Sequence, residues 1–364
     1  MKNTFGNNVS VTLFGESHGD AIGAVLDGLP AGVEIDTDFI AHQLDLRRPV
    51  GKISTPRQET DKFKTVSGVF NGKTTGTPLC IIIPNENTKS KDYESAYGKA
   101  RPGHADYTAF LKYNGCEDYR GGGHFSGRIT AALVSAGAIA IKILNNRNIK
   151  IGTHIKKCAG VTDVGFSDYC KDIDTLSNKL FAVLDDEKGK EMISAIESAA
   201  EEGDSVGGVL ETVVTGLPTG LGEPWFDSME SVLSHILFSV PAIKGVEFGV
   251  GFECADMKGS VMNDSFAYEN GVVKTLTNNN GGINGGITNG MPVIFRCAVK
   301  PTPSISVEQQ TVDFKKGENT VLNVTGRHDP CIVHRARVVV DSVTAIALCD
   351  LLSQKFGTDW LGEK

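Results

Sequence analysis

The chain has 364 residues, enough for one very large domain or two ordinary ones. Its 36 Lys and Arg against 44 Asp and Glu leave a formal net charge of −8, which sets the molecule against polyanions and excludes a nucleic-acid wrapper or a basic membrane binder. With 40% hydrophobic and 22% charged residues the composition is globular, not disordered, and no apolar run is expected to approach the ~18 residues that span a bilayer.

The opening Met1-Lys2-Asn3-Thr4-Phe5 lacks the apolar centre of a signal peptide, so a cytoplasmic location is expected. Val9 to Phe14 and Ala21 to Leu29 read as strands around the loop Gly15-Glu16-Ser17-His18-Gly19. That loop matches G-x-S-x-G, yet a nucleophile elbow needs most of a sheet before it and a helix after it, and here a strand follows. His18 is then either an acid or base, or a structural histidine. Asp36 caps a helix that carries Phe39, Ile40 and Leu44 on one side and ends in Arg47-Arg48-Pro49. Phe63 to Phe70 and Pro78 to Ile83 are predicted strands joined through Asn71-Gly72.

Arg101-Pro102-Gly103-His104-Ala105-Asp106 puts a second histidine in a turn, with a cation and a carboxylate beside it. Asp118 to Arg128 then runs three glycines into a helix that Ser126 caps and that reaches about Asn145. Converging amides there, flanked by Arg120 and Arg128, suit an anion, the alternative being a flexible loop before a cap. The helix is apolar nearly all round, which predicts burial.

Lys188 to Glu202 is an amphipathic helix, Val206 to Val214 a strand, and Asp227 to Phe238 a helix opened by Asp227-x-x-Glu230. Gly245 to Phe252 and Met291 to Val299 are strands, and Val338 to Leu352 is a closing helix. Between them, the loop Asn278 to Gly290 offers backbone and side-chain amides to a planar polar ring. His328-x-x-Cys331-x-x-His334 fits no standard zinc spacing, and Pro330 breaks any helix that would align it, so no metal is expected. The eight cysteines are scattered without a CxxC pair and read as small buried thiols. Walker and GxGxxG loops are missing. Strands and helices come in runs, which favours an α+β fold, with residues 1–364 as a single domain.

At these residues the chain resembles the chorismate synthase family. The Ser17-His18 loop, Arg101 to Thr108, Asp118 to Gly123, Gly222-Glu223-Pro224, Ser239 to Phe252, Gly281 to Gly290, Lys300-Pro301-Thr302 and Arg327 to Cys331 all look like it, in order. The resemblance implies a lyase that converts 5-enolpyruvylshikimate 3-phosphate to chorismate and phosphate by anti 1,4-elimination, with reduced FMN and no net redox change. It implies a layered β-α-β sandwich with a buried helical centre and a pseudo-twofold internal repeat, assembled as a homotetramer. Its partner is a small-molecule substrate, neither nucleic acid nor membrane. Whether the protein reduces its own FMN with NADPH or relies on an external reductase is decided by no motif.

By the same resemblance His18 protonates the departing phosphate, His104 protonates the reduced flavin, and Asp329 near flavin N5 assists removal of the ring proton. Arg47, Arg48, Lys52, Arg57, Arg128 and Arg335 are the cations implied for the substrate's phosphate and carboxylates. Arg47 is expected to face solvent. Flavin contacts are implied at His124, Phe125, Ser126, Pro241, Ala242, Gly285, Lys300, Pro301, Thr302, Pro303, Ser304 and Arg327. Where many members read Arg-Ser-Ser-Ala-Arg-Glu-Thr, this chain has His124-Phe125-Ser126-Gly127-Arg128-Ile129-Thr130, losing one cation, one hydroxyl and one carboxylate. After Pro49, Val50-Gly51-Lys52-Ile53 leaves Lys52 and Arg57 as the available cations.

Overall fold

The structure, a computed structural model, describes residues 2–49, 51–55, 60–86, 97–324 and 329–362. Strands β1 (Thr4–Phe5), β2 (Ser10–Gly15) and β3 (Ala21–Asp27) are followed by helix α1 (Thr37–Leu46), which opens on the Asp36 carboxylate accepting from the Phe39 amide at 2.9 Å. Next come β4 (Lys64–Ser67), β5 (Val69–Phe70), β6 (Lys73–Thr74) and β7 (Leu79–Pro84). The first sheet is antiparallel, in the order β1-β2-β3-β7-β4. Residues along β7 alternate between buried and half-buried, as a strand lying on a core does.

The strand expected over Phe63–Phe70 is broken at Gly68, where any Cβ would lie 2.5 Å from the Leu79 Cα. Asn71-Gly72 therefore closes the small β5–β6 hairpin and does not join β4 to β7.

Helix α2 (Asp106–Lys112) precedes α3 (Thr130–Asn145). Ser126 does not cap α3 directly; its hydroxyl accepts from the Arg128 amide and starts a 3₁₀ turn, Gly127–Ile129, that leads into it. Then follow β8 (Lys150–Cys158), β9 (Val161–Thr162), α4 (Tyr169–Leu176), α5 (Asp186–Glu201), β10 (Gly208–Thr215), α6 (Met229–Leu237) and β11 (Ile243–Phe248). The cap of α6 is Ser228 and not Asp227, because Asp227 ends a 3₁₀ turn begun at Trp225.

The last third holds α7 (Gly259–Met262), β12 (Phe266–Glu269), β13 (Val272–Thr275), β14 (Ile283–Asn284), β15 (Ile287–Thr288), β16 (Val293–Val299), β17 (Gln309–Asp313), β18 (Glu318–Leu322) and α8 (Val333–Phe356). The second large sheet is also antiparallel, ordered β11-β16-β10-β8-β9. Closing helix α8 starts five residues before the predicted Val338 and ends past Leu352.

Mixed sheets and helices make this an α+β protein. Helix α3 packs on β3 and β7, α8 packs on β8 and β10, and the two helices pack on each other. Every residue of α3 except Lys142 and Asn145 is buried. Each fully buried Val, Leu or Ile among them contributes roughly 1.5–3 kcal/mol. The sequence-based expectation about apolar runs is corrected here. Gly127–Asn145 is long and apolar enough to cross a bilayer, with a mean hydropathy of 1.6, but 83% of that window is buried inside the protein. One hydrophobic cluster draws on both large sheets and on α1, α3, α6 and α8.

Candidate active site

The two histidines singled out in the sequence meet the same three glycines. Gly121, Gly122 and Gly123 all have positive φ, at 60°, 82° and 52°. A Cβ on Gly121 would fall 2.1 Å from His18 Cε1, one on Gly122 3.2 Å from His104 Cε1, and one on Gly123 2.0 Å from the Asp118 carbonyl oxygen. The glycines bring bare backbone against both imidazoles. Two hydrogen bonds fasten this loop to the one carrying His18: Ser17 N–H donates to Gly123 O at 3.1 Å, and His124 Nδ1–H donates to Gly15 O at 2.7 Å.

His104 is oriented from its own turn. Its Nδ1 lies 2.8 Å from Asp106 Oδ1, and Arg101 forks onto the same carboxylate at 2.8 and 2.7 Å. Burial alone would raise the Asp106 pKa; hydrogen bonds from Arg101 and His104 outweigh it and hold the carboxyl well below the usual carboxylate range. An ionised Asp106 accepts a hydrogen bond from His104 Nδ1–H and leaves Nε2 beside Gly122 for chemistry.

The Lys300–Ser304 segment wraps this turn. Lys300 Nζ donates to Gly103 O at 2.5 Å, Arg101 to Ser304 Oγ at 3.3 Å, and Pro303 lies against Gly103. Ser205 Oγ donates to Thr302 O at 2.7 Å, and Pro301 packs on Gly207. Thr302 Oγ1 is buried with no hydrogen-bond partner among the described residues.

Beside Gly121 opens a cavity of about 250 Å³ whose walls include Arg47, Asp61, Ser126, Gly127, Arg128, Pro241, Asp329 and Arg335. Arg47 reaches Thr130 Oγ1 at 2.9 Å, Gly127 O at 2.8 Å and Asp61 Oδ2 at 3.4 Å. It is buried and not solvent-facing, so its removal strips three polar groups of a donor instead of leaving the fold untouched. Burial and the charges of Arg335 and Arg128 push its pKa down, against Asp61 and Asp329; the guanidinium stays a cation at neutral pH. Arg128 bonds Asp61 Oδ1, Asn85 Oδ1 at 3.0 Å and Pro84 O at 3.3 Å. Asp329 is held by Arg335 at 2.9 and 2.8 Å and by the Thr55 amide at 2.9 Å, while Arg335 Nε caps the Arg47 carbonyl at 2.9 Å.

Other expected site residues stand elsewhere. Arg48 pairs with Asp45 at 2.6 Å and with Thr60 O, and Lys52 is exposed on a 3₁₀ turn. Phe125 is exposed and meets Tyr113 edge-on. Ala242, at φ 75°, accepts the Lys300 amide at 3.0 Å. Gly285 turns the β14–β15 hairpin into open space. Arg57 and Arg327 lie outside the described residues, as does His328.

In the Asn278–Gly290 loop several side-chain amides bond within the protein, Asn278 to Pro292 O, Asn279 to Val261 O and Met262 O, Asn280 to Asp264, and Asn289 to Asn284. The loop also buttresses β11 and β16, through Val250 N–H to Asn279 O and Ile294 N–H to Gly281 O. Sequence reasoning missed Asp61, which no neighbouring glycine or histidine marks.

Comparison with known proteins places this arrangement. The family model described as chorismate synthase matches residues 9–352. A protein from Dehalococcoides mccartyi named chorismate synthase is 48% identical over 353 residues, covering 96% of each chain. Another so named, from Thermococcus kodakarensis, is 43% identical over 350 residues, covering 96% of this chain and 97% of its own. A solved structure titled as the crystal structure of chorismate synthase superposes with a TM-score of 0.76 at 30% identity, covering 97% of this chain and 94% of that one.

Proposed function

The chain belongs to the chorismate synthase family and is a lyase of that kind, and from that premise we propose that it converts 5-enolpyruvylshikimate 3-phosphate to chorismate and phosphate with reduced FMN. The observation that carries the reading is the approach of His18 and His104 to adjacent glycines beside a cavity holding three arginines.

The elimination breaks a C–O bond to phosphate and a ring C–H bond. His18 gives its proton to the departing phosphate oxygen, and Asp329, steadied by Arg335 and the Thr55 amide, takes up the ring proton. Arg47, Arg128 and Arg335 receive the substrate's phosphate and carboxylates, with planar forks suited to such oxyanions. Arg48 and Lys52 stand outside this cavity and would act at its approach; Arg57 remains an expectation.

The residues present fit a flavin. Thr302 Oγ1 is a buried hydroxyl with no hydrogen-bond partner among the described residues, and Gly122 brings bare backbone close to the His104 ring. Ser126, Pro241 and Lys300 to Ser304 would hold FMN beside His104, which manages the charge of its reduced form. When bound, reduced FMN supplies an electron as the phosphate leaves and recovers it as the C–H bond breaks.

The packing of α3 and α8 on different sheets supports a layered β-α-β reading. That residues up to Asn145 supply one sheet and one buried helix, and residues from Lys150 onward a second sheet and a second buried helix, supports a pseudo-twofold repeat, and the shared hydrophobic cluster supports a single domain. Trp225, Phe226 and Phe252, exposed by 83%, 90% and 83%, support a homotetramer that would cover them. A cytoplasmic site of action accords with the substrate.

The test is anaerobic phosphate release from 5-enolpyruvylshikimate 3-phosphate. Release is expected with chemically reduced FMN and not with oxidised FMN in air. Equal turnover with oxidised flavin, or turnover with none, sinks the reading.

A further inference from the structure

Asp61 stands where two cations of the cavity meet, and the roles given above leave it unused. Its side chain is 2% exposed and bridges Arg47 and Arg128. The two guanidinium groups come from different elements, the end of α1 and the turn entering α3. In a buried setting their mutual repulsion drives them apart unless a shared counter-ion holds them. Each fork is also anchored elsewhere, Arg47 on Thr130 and Gly127 and Arg128 on Asn85 and Pro84, with further N–H groups left over for a ligand. Asp61 itself sits at φ 50°, a left-handed conformation that costs energy for a non-glycine residue and persists where its surroundings demand it.

A carboxylate lining an anion cavity repels the ligand. Its presence therefore favours orientation of the forks over strength of binding. Resting on the reading of this cavity as the oxyanion site, we propose that Asp61 is a positioning residue: it sets the aim of Arg47 and Arg128 and lowers their affinity for anions in exchange.

The proposal demands opposite effects on two measurements. Asp61→Asn keeps the size and removes the charge. By calorimetry without flavin, inorganic phosphate should bind this variant about ten-fold more tightly than wild type, because one repelling charge is gone. Turnover with substrate and reduced FMN should fall about 10²-fold, because the forks lose their aim. A residue needed only for folding would instead weaken phosphate binding along with activity.

Asp61→Glu keeps the charge and moves it by one methylene group. It should bind phosphate like wild type and lose at least about ten-fold in turnover. Unchanged or weaker phosphate binding in a folded Asp61→Asn protein overturns the proposal, and so does unchanged turnover there. Should the Asn variant not fold, wild-type turnover in Asp61→Glu overturns it. A wild type that binds phosphate but never turns over refutes the lyase reading alone, and the phosphate comparison still decides the role of the charge.

Discussion

A methyl group on Gly121 lands 2.1 Å from the His18 ring, while one on Gly127, six residues along the same segment, meets nothing within 4 Å. Gly121→Ala should therefore displace His18 and cost turnover at least about 10²-fold, the usual scale for losing an acid or base. Gly127→Ala should stay within a few-fold of wild type. Single-turnover rates on both variants check this, and equal rates would remove the His18–Gly121 contact from the argument. His18 and His104 drew attention in the sequence because each stands in a short segment dense with glycine and charge, whereas Asp329 entered through the family resemblance. Asp61 did neither. Its partners Arg47 and Arg128 lie 14 and 67 positions away, and only the fold makes them neighbours.

Among the elements, α3 and α8 depend most on close fit. Gly137 of α3 abuts α8 so tightly that a Cβ would fall 2.3 Å from the Ser342 Cβ. Gly137→Ala should overpack that crossing and destabilise the protein by about 1–3 kcal/mol, and Ser342→Gly in the same chain should restore part of the loss. Urea denaturation of the single and double variants measures both; a single variant as stable as wild type contradicts the packing. Helix α3 was readable because its apolar residues surround it. The start of α8 was not, since its first turn carries His334, Arg335 and Arg337. Each is held by a partner outside that turn: buried His334 by Ser54 at 2.7 Å, half-buried Arg335 by Asp329, and buried Arg337 by Lys179 O at 2.8 Å. Hydrophobic patterning misses polar groups that long-range bonds satisfy.

Across the whole molecule, the second sheet carries a row of charge over four strands, His154 on β8, Glu211 on β10, Arg296 on β16 and Glu247 on β11, each opposite the next in register. His154 is fully buried, with Nδ1 2.8 Å from Asp163 and Nε2 3.1 Å from Glu211. Burial alone would lower its pKa, but the two carboxylates outweigh it and raise it. A raised histidine stabilises fully below its unfolded value of about 6.5, and the contribution fades as pH climbs through the folded value. The gap in melting temperature between wild type and His154→Gln should therefore be widest near pH 6 and shrink as pH rises. A gap that stays constant with pH would show that His154 titrates alike folded and unfolded. No local pattern predicts such a row, because strand order decides who faces whom.

The Cys349 thiol on α8 reaches the Ala140 carbonyl on α3 across 209 positions. At about 5–20 residues per second, a ribosome needs about 10–40 s to cross that interval. For most of it the flank of α3 meant for α8 has nothing to cover it. A nascent chain of this protein thus carries an unpartnered apolar helix long before it can fold, and translational pausing ahead of α8 lengthens its exposure to aggregation.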